Sequence, residues 1–362
     1  LPPGGARVWV AGCGTNQAVI TALMFPDAQV VGSDLSAGSL EVAATSARQL
    51  SVDNLELRRE SINQAAYAEE FDYVVCTGVI HHNADPDHAL ARLAAALRPA
   101  GVMQLMVYNR YHRTHTTAFQ KAVRTMLGCA GYAYEEELAL ARRFVDRYSG
   151  PGSMGTWLAE QRDTQETELA DALIQPVEHS YTVESLDRMV GSTGLELLTP
   201  FPSKWNAASD RDWELEMGDP ELQRVYDALP DARRWQVANL LLLEESPMLW
   251  FYLQRRDSPF PRSSVRELCE AFLESRHAPA RTTRQMHFRD DGLGYGPTPD
   301  QEVPFPVPQA TGDAGRVLDE LDSGSPMRAT LERLGIPVGD LRAVNRLRVG
   351  LASSASPFLK AL

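Results

Sequence analysis

Short apolar runs alternate with amphipathic stretches through the first hundred residues. Residues 8–11, 28–33, 71–76 and 102–108 are largely apolar or β-branched runs of strand length, and with the alternating Leu55-Glu56-Leu57-Arg58-Arg59 they predict strands. Gln17–Met24, residues 40–50 and residues 86–97 carry the helical spacing. The punctuation agrees. Pro26 cannot continue the first helix, and Ser36 stands in the turn before the second. Asp85-Pro86-Asp87 supplies the third with a capping acid, a proline at the first helical position and an acid on the helix dipole. Strands alternating with helices at this spacing predict an α/β fold, a parallel sheet covered on both faces.

The pattern then changes. Residues 110–178 are mostly helical, with a break at Ser149-Gly150-Pro151-Gly152. A helix over residues 182–193, capped by Thr182 and closed by Gly194, restores the alternation. A strand at 195–200, a helical stretch over 220–243 and a strand at 248–254 follow. Residues 110–178 therefore read as a helical insertion between strands five and six. Ser258-Pro259-Phe260-Pro261-Arg262 reads as a linker. The tail predicts a helix near 265–275, a β run at 282–288, a loop with Asp291, Gly292 and Gly294, a proline-rich stretch at 297–308, and helices near 313–321, 327–334 and 340–352. The expected division is a sheet domain over 1–257 and a small α-rich domain over 258–362.

Of the 362 residues, 44% are hydrophobic and 23% charged, a composition that builds a packed core. No apolar run approaches the roughly 20 residues that span a bilayer. Net charge is −13, and residues 258–362 carry 13 basic and 13 acidic side chains, so the whole acidic excess lies in residues 1–257. An acidic body is a poor partner for nucleic acid or anionic lipid. Cys13, Cys76, Cys129 and Cys269 form no CxxC pair and read as free thiols. With a strand starting within ten residues of Leu1 and no signal peptide in view, the expectation is a cytoplasmic protein.

The densest chemistry lies at Ala11-Gly12-Cys13-Gly14-Thr15, followed at Gly32-Ser33-Asp34 by an acid at a strand tip. Glycines allow close approach of the backbone to a ligand, and the helix that follows offers unpaired N–H groups. A carboxylate about 20 residues on can accept from both hydroxyls of a ribose. A dinucleotide site would place a glycine where Gln17 stands.

Four stretches together resemble the class I S-adenosylmethionine-dependent methyltransferases: the glycine loop 11–15, the acidic tip Gly32-Ser33-Asp34-Leu35-Ser36, residues 71–82 ending in Val79-Ile80-His81-His82, and the turn Leu97-Arg98-Pro99-Ala100-Gly101-Val102. The resemblance covers residues 6–109 and implies a Rossmann-like sheet with S-adenosyl-L-methionine as cofactor and S-adenosyl-L-homocysteine as product. It implies that Gly12 and Gly14 pass under the methionine part, with Cys13, Asn16 and Gln17 in the same cofactor-binding loop; backbone carbonyls or Gln17 could bind the ammonium. Asp34 would hold the ribose and Leu35 the adenine face. Ser61 and Ile62 would sit at the adenine amine, and Thr77 and Val79 beside the methionyl group. Val10, Asn16 and Ser61 depart from the family's usual acid, glycine and Asp.

Methyl transfer needs an aimed nucleophile and excluded water, with a base only where the nucleophile arrives protonated. His81, His82 and Tyr108 are the catalytic candidates, at the outgoing ends of strands four and five. Asn109, His112, His179 and Tyr181 are the candidates for holding the acceptor. His112 and His115 alone make a weak metal pair, and no metal is expected. The expected function is methyl transfer to oxygen or nitrogen of a small-molecule or peptide-derived acceptor in secondary metabolism, with no nucleic-acid or membrane partner. The alternatives are a protein or carrier-bound acceptor docked by the tail, or a non-catalytic cofactor-binding protein. A homodimer formed through the tail is compatible with the sequence.

Overall fold

The structure is a computed structural model, and it describes residues 5–128, 133–165, 169–170, 173–201, 213–279, 286–288, 295–297, 312–352 and 358–362. Its centre is a seven-stranded sheet. In chain order the strands are β1 (Arg7–Ala11), β2 (Gln29–Asp34), β3 (Leu55–Arg59), β4 (Phe71–Thr77), β5 (Leu97–Val107), β6 (Leu195–Pro200) and β7 (Leu249–Arg255), and across the sheet they run β3-β2-β1-β4-β5-β7-β6. Strands β1 to β5 pair in parallel. The parallel run expected from the first five strands is present, and β7 runs antiparallel to both β5 and β6. An apolar run states that a strand is buried and carries no sign of its direction.

Alternation along β1 shows why both faces are covered. Val8 and Val10 pack on one face with Ala18, Ala22 and Val30, while Trp9 and Ala11 pack on the other with Phe71, Leu90 and Leu105. The Trp9 indole N–H donates to Ser33 Oγ at 2.8 Å inside that core. Helices α1 (Gln17–Met24), α2 (Ala37–Gln49) and α3 (Pro86–Ala96) connect the strands. Ser36 Oγ accepts from Ser39 N–H, and Asp85 accepts from His88 N–H with Pro86 at the helix start, so both caps act as the sequence indicates.

Strand β5 begins at Leu97, so Arg98-Pro99-Ala100-Gly101, read as a turn, lies within the strand's bounds at a register shift against β4. The insertion holds α4 (Thr114–Leu127), α5 (Tyr134–Arg147) and α6 (Ser153–Glu160) around their own core of Phe119, Val123, Ala141, Val145 and Leu158. It leaves and rejoins the sheet at one place, where Asn109 and Tyr181 form a parallel bridge. The helical stretch expected over 220–243 consists of two helices, Pro220–Asp227 and Asp231–Leu242, divided at Pro230, which cannot donate a helical N–H.

In the tail, the helices Val265–Glu274, Gly312–Asp319, Met327–Arg333 and Leu341–Ala352 share a core of Val265, Phe272, Val317, Leu331, Val344 and Leu351, separate from that of the sheet. Two small antiparallel pairs join them: His277–Pro279 with Leu359–Ala361, and Met286–Phe288 with Tyr295–Pro297. The rest of the expected β run at 282–288, the loop with Asp291, Gly292 and Gly294, and most of the proline-rich stretch lie outside the described residues, as do Cys129 and Trp205. Among the described residues no helix is long and apolar enough to cross a membrane.

Candidate functional site

The C-terminal ends of the parallel strands bring the glycine loop, Asp34, Ser61, Val79 and Tyr108 to one edge of the sheet. Gly12 has φ +68° and Gly14 φ +56°, the left-handed region that L side chains avoid. A Cβ on Gly12 would lie 2.5 Å from Val79 Cγ2, so the loop after β4 presses on the glycine turn. A Cβ on Gly14 would meet nothing within 4 Å. The space over Gly14 is open, as a ligand lying along the loop requires.

Asp34 is tied to this loop. Its Oδ2 accepts from Gly14 N–H at 2.9 Å, and its Oδ1 from Ser36 N–H at 2.8 Å. A carboxylate has about four acceptor positions, so one per oxygen is left for a ribose hydroxyl. Leu35 next to it is 67% exposed, an apolar surface in the place where the resemblance puts adenine. Ser61 Oγ accepts from Asn63 N–H at 3.3 Å and keeps its own proton to donate, while Ile62 is buried with Trp9 and Val31. The donor set therefore fits S-adenosylmethionine: acceptors for two hydroxyls, an apolar shelf and a glycine cradle.

Three loop positions differ from expectation in detail. Asn16 has φ −144°, so this turn asks for no positive φ where the family's third glycine stands. The Cys13 side chain is buried in the core, which pushes its thiol pKa up to about 12, and its Sγ lies 3.7 Å from the Gly14 carbonyl. Gln17 opens α1, and its N–H reaches back to the Cys13 carbonyl at 3.2 Å.

On the acceptor side the chain gathers residues from three stretches. His81 and His82 sit in a 3-10 turn, Ile80–His82, directly after Val79. The His81 ring is fully buried and stacks on Tyr108, with centroids 3.8 Å apart. Burial, then the nearby His82 and Arg113, push its pKa down to about 3. The ring is neutral, and both its nitrogens lack a hydrogen-bond partner. His82 differs. Its Nδ1 lies 3.0 Å from the Val177 carbonyl oxygen, which can only accept, so Nδ1 carries a proton, and in the neutral tautomer so fixed the lone pair is on Nε2.

Residues 177–181 return from the insertion along this edge. His179 N–H donates to the His81 carbonyl at 2.8 Å, and Tyr181 N–H to the Tyr108 carbonyl at 2.9 Å. His179 Nε2 and the Tyr181 hydroxyl are buried without partners. Asn109 takes a structural place instead. Its amide donates to Ser246 Oγ and the Pro247 carbonyl and accepts from Asn239, which leaves none of it facing the crevice. His112 Nε2 bonds the Ser246 carbonyl, whereas His115 stacks on Trp157.

Sequence reasoning missed Arg113 as a site residue. Its guanidinium lies 4.5 Å from the Tyr108 ring centroid and pairs with Glu178 at 2.6 Å, both side chains largely buried. The two are 65 positions apart, and no local pattern announces such a pair.

Comparison with known proteins accords with this geometry. Residues 9–103 match the methyltransferase domain family. An uncharacterized Synechococcus protein is 29% identical over 269 residues, 72% of this chain and 62% of its own length. The ubiquinone biosynthesis O-methyltransferase of Histophilus somni is 32% identical over 109 residues, 29% of this chain and 45% of that enzyme. The chain thus spans less than two thirds of these relatives. Among solved structures, PKMT2 from Rickettsia typhi shares the fold over the whole chain and 72% of its own, with TM-score 0.59 and 14% identity. Its complex with AdoHcy aligns with TM-score 0.56 at 16% identity over 78% of this chain and 55% of that one. Residues 9–103, built on a glycine loop tied to Asp34, are thus a stretch similar to the methyltransferase domain family, on a fold shared with a methyltransferase-like sheet.

Proposed function

We propose that the protein transfers the methyl group of S-adenosylmethionine to oxygen or nitrogen of a discrete small-molecule or peptide-derived acceptor, in secondary metabolism. The observation that carries this reading is the meeting of His81, His82, Tyr108, His179 and Tyr181 immediately beyond the loop that presses on Gly12. The bound cofactor supplies a methyl already activated by a positive sulfur. Asp34 and the glycine loop fix its adenosyl end. The helical insertion covers the acceptor and keeps water out, which suits a discrete molecule. His82 Nε2 takes the proton of an acceptor hydroxyl, and the Val177 carbonyl holds the ring in the tautomer that permits it. The name of the Histophilus relative, an O-methyltransferase, favours oxygen.

Calorimetry with S-adenosylmethionine tests the cofactor part, and absence of binding at millimolar ligand ends the reading. With an acceptor in hand, His82→Ala lowers kcat by about 10²-fold or more, the usual share of a general base. An unchanged kcat removes His82 from the reaction.

A further inference from the structure

Four polar atoms on the acceptor side are sealed from water and bonded to nothing: both ring nitrogens of His81, Nε2 of His179 and the hydroxyl of Tyr181. They share one neighbourhood. The backbone of His179 bonds that of His81, the backbone of Tyr181 bonds that of Tyr108, and the His81 ring lies on the Tyr108 ring. Buried polar groups are nearly always paired, and unpaired ones cost free energy that a fitting partner returns.

Among the described residues the same neighbourhood offers no uncompensated charge. Arg113 is the cation against Tyr108, and Glu178 answers it with two hydrogen bonds, at 2.8 and 2.6 Å. Burial holds His81 neutral and, with the charge of Asp87, keeps the proton on Tyr181. Asp87 itself is exposed and screened by water. A neutral imidazole has one donor and one acceptor nitrogen, and a tyrosine hydroxyl both gives and takes. A hydroxyl matches such partners. A carboxylate or an ammonium would leave water and meet no counter-charge.

Resting on the methyl-transfer reading of this site, we infer that the acceptor is an uncharged, hydroxyl-bearing molecule recognised by His81, His179 and Tyr181, and that anionic and cationic acceptors are rejected.

The test uses the full chain saturated with S-adenosylhomocysteine and three probes of similar size: catechol, benzoate and benzylamine. Catechol is expected to bind roughly tenfold or more tightly than either ion, because only the ions lose hydration without compensation. Tyr181→Phe and His179→Ala each weaken catechol about threefold or more and leave S-adenosylhomocysteine affinity in place. Benzoate or benzylamine binding as tightly as catechol overturns the inference. So does catechol binding that neither substitution moves, or binding of none of the three. A chain that fails to bind S-adenosylhomocysteine overturns the methyl-transfer reading and this inference with it.

Discussion

Asp34 and Gly14 are joined by a hydrogen bond of 2.9 Å from the glycine N–H to the carboxylate. The bond fixes the acid against the loop that follows β1. Asp34→Ala removes this bond and both free acceptor positions. Hydrogen bonds to a charged group contribute about 1.5–3 kcal/mol each, so the expected loss of S-adenosylmethionine affinity is roughly tenfold or more. Calorimetry checks it, and an unchanged dissociation constant shows that the ribose lies elsewhere.

Gly12→Ala meets two obstacles. Its φ of +68° is strained for alanine, at roughly 1–2 kcal/mol. The new Cβ would also stand 2.5 Å from Val79 Cγ2. The variant is expected to unfold at a lower temperature and to bind cofactor less well. Adding Val79→Ala removes the two shortest contacts but leaves Val79 Cβ at 3.1 Å and the backbone strain, so thermal melts of the double variant should recover only part of the loss. Full recovery, or none, contradicts this division.

The acid stability of the fold carries a signature of His81. Its folded-state pKa of about 3 lies below the ordinary value of 6.5. Between these values the unfolded chain binds a proton that the folded chain does not. Stability therefore falls as pH drops from 6.5 towards 3, by up to about 1.4 kcal/mol per unit, and His81 adds no pH dependence above that window. Denaturant titrations at pH 7, 6 and 5 should show a shallower decline for His81→Phe than for the parent chain. Equal slopes remove His81 as the cause.

Glu178→Ala takes from the largely buried Arg113 the carboxylate it pairs with at 2.6 Å. Breaking a buried pair from one side costs about 3–5 kcal/mol, and the unfolding midpoint should fall by roughly 5 °C or more. Glu178→Gln, which keeps hydrogen-bonding groups beside Arg113 and Gln120, should lose less. Equal losses for the two variants would show that the charge is not what matters.

How much of this could be read from the amino acids follows from the range of each interaction. The turn around Gly12 and Gly14 and the acid at Asp34 were legible, because a strand, a tight turn and a helix start lie within one short stretch. The caps at Ser36 and Asp85 were legible for the same reason. The direction of β7 was not, since Leu249–Arg255 is an apolar run in either orientation. Asn109 looked like a substrate contact because it leaves a strand end, yet its amide is engaged by Ser246, 137 positions away. Arg113 was hidden likewise, its partner Glu178 lying 65 positions away. What the residues announced was local chemistry, and what they concealed was which distant side chains would use it up.

Because β7 is reversed, the polypeptide enters it beside Val107, at the crevice edge, and departs at Arg255, beside Leu195 on the far rim. The tail is consequently rooted at the rim opposite the glycine loop, and it has to run round the border of the sheet before any part of it can meet that loop.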